Sequence, residues 1–312
     1  MLYFGEFCAV KYFDNFQIQA KLSIFGEFFI FNSIEMTFMK SKNRQVYQSN
    51  FIDKKVFFNK KRIKYWINEM TEWLFCSQKE YIDYLFFEQK EEELTLLLIQ
   101  LLEAEQFSKE NAIKVTTEFF DNCVTLHEVL LKDLSSILEF DPAAKSKNEV
   151  LIAYPGFFAI TVHRIAFQLW NNNARILARL IAEHAHSKTG IDIHPAAVIG
   201  EHFLIDHGTG IVIGETAIIG KNVKIYQGVT LGALTVSKED AEEKRHPTIE
   251  DNVIIYANAT ILGGKTVIGK DAIIGGNVWI TNSIPAQSLV YHKSEINIKN
   301  KEQFPEALNF SI

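Results

Sequence analysis

The sequence predicts an α+β chain, in which a helical domain is followed by a parallel β-helix built of hexapeptide repeats. Two observations carry this. Apolar residues recur at three- and four-residue spacing from about residue 60 to 187, and at Gly190 that period gives way to one of six. The six-residue period is the stronger signal, because a short strict repeat marks a solenoid whose units bury their faces only against neighbours.

The elements follow in chain order. Residues 1–38 hold eleven aromatics with little periodicity, which leaves two readings open: a loosely packed tail, or translation that starts at Met36 or Met39. From Lys40 to Lys64 the chain is basic, with nine Lys/Arg against one Asp, as expected of a solvated face. Trp66, Met70 and Leu74, then Leu94, Leu97, Leu98, Leu101 and Leu102, lie on helical faces. The same pattern runs through Val124–Leu138, Phe157–Trp170 and Ala174–Ala185, punctuated by Asp141-Pro142 and Tyr154-Pro155-Gly156, since proline cannot continue a helix interior. His163 and Arg164 within this pattern read as packing or capping residues. His184 and His186 suit a helix C-terminus better than a metal. The expected divisions are 1–38, a helical domain at 39–187, a β-helix at 188–290 and a tail at 291–312.

In the β-helix the aliphatic positions are Ile193, Ile199, Ile205, Ile213, Ile219, Ile225 and Leu231, resuming at Leu262, Ile268, Ile274 and Ile280. Small or β-branched residues stand four positions on: Ala197, Thr209, Ala217, Val223, Val229, Thr266, Ala272 and Val278. Six residues fit one flat side of a triangular coil, aliphatic side chain inward, and three sides make a turn. Two departures mark where chemistry sits. The register slips by two within Asp206-His207-Gly208-Thr209-Gly210, and a charged loop, Ala233 to Pro247, leaves the coil and returns through Lys244-Arg245-His246.

Composition narrows the function. The apolar fraction is 47%, the charged fraction 22% and the net charge −6, a soluble globular mix with no basic footprint for nucleic acid. No apolar run reaches the roughly 20 residues of a membrane span. Cys8, Cys76 and Cys123 form no metal or CxxC pattern, which suits a reducing cytoplasm.

Several ordered motifs resemble the serine acetyltransferase family. They are Asp192-Ile193-His194-Pro195-Ala196-Ala197, Asp206-His207-Gly208-Thr209-Gly210, Gly214-Glu215-Thr216-Ala217, Gln227-Gly228-Val229-Thr230-Leu231-Gly232 and Arg245-His246-Pro247, with Asp141-Pro142-Ala143 and Tyr154-Pro155-Gly156-Phe157 upstream. The resemblance implies a left-handed coil and transfer of an acetyl group from the co-substrate acetyl-CoA to L-serine, with no permanent cofactor and no metal. It implies His207 as general base, Asp192 as its orienting carboxylate and His246 as binder or second proton-handling group. Asp141 and Asp206 would meet the amino and hydroxyl end of serine, and Arg245 its carboxylate. Gly232, Ala233, Ala257 and Gly275 would flank the CoA groove. It implies further a homotrimer or hexamer, feedback inhibition by L-cysteine, and capture of the terminal Ile312 by O-acetylserine sulfhydrylase. The chemistry agrees: a serine hydroxyl needs a base, and histidine, with an ordinary pKa of about 6.5, works at neutral pH. A carboxylate on the far ring nitrogen fixes its tautomer.

Some positions depart from the family. Gly232-Ala233 replaces a glycine pair, and Tyr256 stands where an inward aliphatic is usual. Glu215 gains no role from chemistry alone. Other readings stay open: Asp141 as a helix N-cap, another hydroxyl acceptor, a non-catalytic scaffold, or a zinc carbonic anhydrase using the His202-x4-His207 spacing.

Overall fold

The structure is a computed structural model and describes residues 43–50, 58–234 and 243–293. The chain divides into two units, Met1–Lys55 and Val56–Ile312. Of the first, residues 43–50 are helical and exposed. The segments 1–38 and 294–312, with Ile312, lie outside the described residues.

Among the described residues the second unit opens with seven α-helices: α1 (Lys60–Phe75), α2 (Tyr84–Ala104), α3 (Lys109–Asp121), α4 (Cys123–Phe140), α5 (Lys147–Ala153), α6 (Pro155–Asn171) and α7 (Arg175–Thr189), with a 3-10 turn at Lys79–Ile82. Their starts follow local chemistry: Asn59, Asp83, Ser108 and Ser146 each accept first-turn backbone N–H groups, and Pro155 opens α6. Gly190, at φ 70°, caps α7 where a left-handed residue is needed. Trp66, Met70, Leu94, Leu98 and Leu102 are fully buried, as the helical spacing requires. No single helix among the described residues is long and apolar enough to cross a membrane.

Among the described residues fourteen short parallel strands follow: β1 (Asp192–Ile193), β2 (Val198–Ile199), β3 (Leu204–Asp206), β4 (Val212–Ile213), β5 (Ile218–Ile219), β6 (Lys224–Tyr226), β7 (Thr230–Gly232), β8 (Thr248–Ile249), β9 (Ile254–Ile255), β10 (Thr260–Leu262), β11 (Val267–Ile268), β12 (Ile273–Ile274), β13 (Trp279–Ile280) and β14 (Leu289–Val290). Their order, β1-β4-β7-β10-β13 in sheet A, β2-β5-β8-β11 in sheet B and β3-β6-β9-β12-β14 in sheet C, describes a three-sided coil. The first corner joins sheet C to A, the second A to B, the third B to C. Inward residues stack in register, as in Ile193–Ile213–Leu231–Ile261–Ile280. At the third corner Asn222, Asn252 and Asp271 are left-handed, a conformation Asn and Asp tolerate. Their side chains form a ladder of 3.0 and 2.8 Å hydrogen bonds.

The coil corrects the sequence register in three places. Ile249, Ile255 and Ile261 are the buried residues after the loop, so the repeat resumes at Ile249 and slips by one before Ile268; Leu262 points outward. Tyr256 is exposed, with Ile255 inward. Ile211, wholly buried, fills the small position expected of Thr209, which is exposed.

One contact ties helices to coil that no periodicity reveals. Asp133 on α4 has a fully buried side chain and pairs with Arg164 on α6 at 2.7 and 2.9 Å. Arg164 also donates to the carbonyls of Ile199 and Gly200, and Asp133 accepts from Phe203 N–H. All three nitrogens of Arg164 and both oxygens of Asp133 are thus engaged, the kind of pairing that lets a buried pair be tolerated.

Candidate active site

Two groups of polar residues sit at different corners of the coil. The first corner holds His207. Between Asp206, the end of β3, and Val212, the start of β4, lie residues 207–211; the next coil spans the same corner with 227–229. The two extra residues are the register slip, and they push His207 out: its side chain is 74% exposed, with Nε2 3.7 Å from Asp206 Oδ1. Gly208 behind it has φ 90°, and a Cβ there would meet Ile191 and Ile205, so only glycine lets the insertion lie flat on the core.

The helical domain adds Asp141 to this corner. The close approach of Gly156 to the carbonyl of Ile205 seats the start of α6 on β3. Tyr154, just before it, donates its hydroxyl to Asp141 Oδ2 at 2.7 Å. Asp141 Oδ1 accepts from Ala143 N–H. Hydrogen bonding to Asp141 and burial push the Tyr154 phenol up to about 12, with Asp206 contributing, so Asp141, Tyr154 and Asp206 form one acidic cluster. Asp141 ends α4 as its C-cap, and the next helix is capped by Ser146; the N-cap reading of Asp141 does not hold.

Asp192 lies one coil below β4, its N–H donating to Ile211 O at 2.9 Å. Its carboxylate lies within 4.8 Å of ligand atoms of Glu183 and His186 at the end of α7, and it makes no hydrogen bond to His207. The same three residues are the one group among the described residues placed to share an ion. His202 is not among them: it sits at the third corner, with Nδ1 3.2 Å from Ser136 Oγ, a strand away from His207. The His-x4-His spacing therefore assembles no zinc site among the described residues.

The second corner holds the returning loop. Arg245 pairs with Glu215. Thr216 Oγ1 accepts from the N–H groups of Arg245 and His246 at 2.9 and 3.0 Å. Lys244 donates to the carbonyls of Thr216 and His246. His246 is only 8% exposed. Burial first, then Arg245 and Lys244, push its imidazole down to about 4 against the pull of Glu215. His194 beside it is held at about 4 by burial, with Arg179, Arg245 and His246 adding to it. Any side chain at Gly214 would overlap the His246 ring. Glu215 and Thr216 are the site residues that chemistry alone could not assign. Their sequence signal was only membership of Gly214-Glu215-Thr216-Ala217.

The residues expected to flank a CoA groove divide the same way. Gly232 ends β7 and Ala233 follows it at the second corner, while Ala257 and Gly275 follow β9 and β12 at the first. There Tyr226 and Tyr256 stack at 5.0 Å above Asp206. The strands of sheet A, two or three residues each, lie between the two corners. A 560 Å³ cavity on the helical domain, lined by residues including Glu72, Phe75, Phe157 and Lys188, holds none of these groups.

Comparison with known proteins bears on the family of the chain. The family model "Serine acetyltransferase, N-terminal" matches residues 85–162. The chain is 48% identical over 186 residues to the plasmid serine acetyltransferase of Synechococcus elongatus, spanning 58% of each protein. It is 46% identical over 181 residues to serine acetyltransferase of Bacillus subtilis, covering 58% of this chain and 82% of that one. Among solved structures it resembles Entamoeba histolytica serine acetyltransferase isoform 3 in complex with cysteine, with a TM-score of 0.70 and 32% identity over 85% of this chain and 96% of that one. It also resembles the Neisseria gonorrhoeae enzyme in complex with serine, with a TM-score of 0.53, 27% identity and coverage of 77% and 97%. With a helical domain before a β-helix, and with these relatives, the chain belongs to the serine acetyltransferase family, acyltransferases that use acetyl-CoA to acetylate L-serine.

Proposed function

We propose that the chain performs its family's reaction, acetyl transfer from acetyl-CoA to the hydroxyl of L-serine, at a site that two copies build together. The observation that carries this is the division of polar groups between two corners at opposite ends of the sheet A strands.

In this reading the first corner of one copy supplies His207 as general base. It takes the hydroxyl proton as the oxygen attacks the thioester carbonyl, and CoA leaves as thiol once protonated. Asp192 orients that imidazole after a small closure. Asp141 and Asp206 hold the ammonium and hydroxyl end. The second corner of the neighbour supplies Arg245 and His246 for the carboxylate. Gly232 and Ala233 from one copy and Ala257 and Gly275 from the other leave a smooth groove for the pantetheine arm.

Sheet A lies between the two corners. Its outer row includes Val212, 39% exposed, and Trp279, 72% exposed, apolar surface that association would cover. Three copies with sheet A toward a common axis bring each first corner against a neighbour's second, giving a closed homotrimer; pairing of helical domains would make a hexamer. L-cysteine carries the same ammonium and carboxylate, so it competes at Asp141, Asp206, Arg245 and His246, in line with the cysteine-bound relative.

The direct test is CoA release on mixing protein, acetyl-CoA and L-serine, against a panel of other hydroxyl acceptors. Release with another acceptor at far higher kcat/KM would overturn the serine assignment. Light scattering of a fully active monomer would overturn the shared site, and cysteine inhibition untouched by saturating serine would overturn the common pocket.

A further inference from the structure

His246 receives two donors at one nitrogen. The Thr216 N–H donates to His246 Nδ1 at 3.1 Å, and Thr216 Oγ1 lies 2.9 Å from the same atom. That hydroxyl oxygen already accepts from the N–H groups of Arg245 and His246. A hydroxyl has two lone pairs and one proton; with both lone pairs engaged, the proton is directed at Nδ1. A nitrogen that accepts does not carry the ring proton, so the neutral imidazole carries it on Nε2, the atom beside Gly214.

We propose that Thr216 is a positioning residue that fixes His246 as the Nε2–H tautomer, making it a hydrogen-bond donor to the substrate carboxylate and not a second base. This rests on the reading that the carboxylate docks at Arg245 and His246. The charges around the ring agree. Arg245, Lys244 and Glu215 surround it, with His194 at the same corner just after β1, and burial with the two cations keeps it neutral, at about 4. The arrangement also separates labour. A carboxylate needs a fixed donor, and a ring free to flip or to protonate would compete with His207 for the hydroxyl proton.

Two measurements test this on the full chain. Nitrogen NMR of histidine-labelled protein reads the tautomer directly. The expected His246 spectrum shows Nδ1 as acceptor and Nε2 protonated, unchanged from pH 8 to about 5.5. A proton on Nδ1, or titration near the ordinary histidine value, overturns the proposal whether or not serine is the substrate. Kinetics then read the hydroxyl. Thr216→Val should raise the KM for L-serine about tenfold, the scale of a lost hydrogen bond to a charged group, with kcat within about threefold and the KM for acetyl-CoA unchanged. Thr216→Ser should rescue it. A Thr216→Val enzyme with wild-type serine KM, or one that loses kcat alone, overturns the positioning role. If Thr216→Val does not fold, the wild-type spectrum still decides the tautomer.

Discussion

The first and second corners of the coil are built from one repeat, yet they prepare for substrate in opposite ways. At the first, a two-residue insertion lifts His207 into solvent, and its nearest charged neighbour is 3.7 Å away. At the second, His246 is 8% exposed and the loop that carries it is clamped through Thr216, Lys244 and Glu215. The corner of Arg245 and His246 is braced within a chain, whereas the corner of His207 is open. The difference makes sense if the base must reach across to a neighbour and be desolvated there, while the anchor for a fixed carboxylate gains from being rigid beforehand.

The largest expected effect tests the open corner. His207→Ala should lower kcat by about 10²–10⁴-fold, the usual contribution of a general base, with acetyl-CoA affinity nearly unchanged. Near-normal turnover would remove His207 from the mechanism.

The next test breaks the comparison if the corners belong to separate sites. His207→Ala and Arg245→Ala chains are each expected to be nearly inactive. Co-expressed in equal amounts, they should recover about a quarter of wild-type activity, since by random mixing about one interface in four joins two intact corners. Activity no higher than either variant alone would place all site residues within one chain.

How much of this was legible in the sequence depended on whether a feature is periodic. The coil was, because every sixth residue must be aliphatic, and the insertion around His207 stood out as a break in that period. The register after the loop was not. Ile261 and Leu262 are adjacent and both apolar, so a one-residue slip is invisible until Ile268 pins the phase. The pairing of Asp133 with Arg164 spans 31 residues, and that of Thr216 with His246 spans 30; neither leaves a local trace. The contacts that brace each corner were hidden too, since a period gives the inward face but names no side-chain partner.

A smaller effect separates the corners by pH. His194 and His246 at the second corner are both held at about 4, so they fold neutral. A base depressed in the folded state contributes stability present above its unfolded value, about 6.5, and lost as pH falls toward 4. The slope per histidine cannot exceed about 1.4 kcal/mol per pH unit, the value for one proton taken up. Urea midpoints at fixed protein concentration should fall between pH 7.5 and 5. His246→Gln should show a shallower fall, and an equal fall in both proteins would mean that His246 titrates freely.

The smallest expected effect is an unchanged shape. If His246 is already neutral throughout the working range, its ionisation cannot contribute to the pH dependence of kcat/KM between 5.5 and 8 (the limits being on the order of one unit above its value and near neutrality). His246→Gln still offers a donor through its side-chain amide, but from a flexible stem without the clamp of Thr216. It should therefore lower kcat/KM, mainly through the serine KM, while the profile keeps its form. If His246 instead handled a proton, the variant would lose one limb of the profile and the loss would fall on kcat. A full profile of wild type and variant distinguishes the two, because one outcome moves the height of the curve and the other moves its edge.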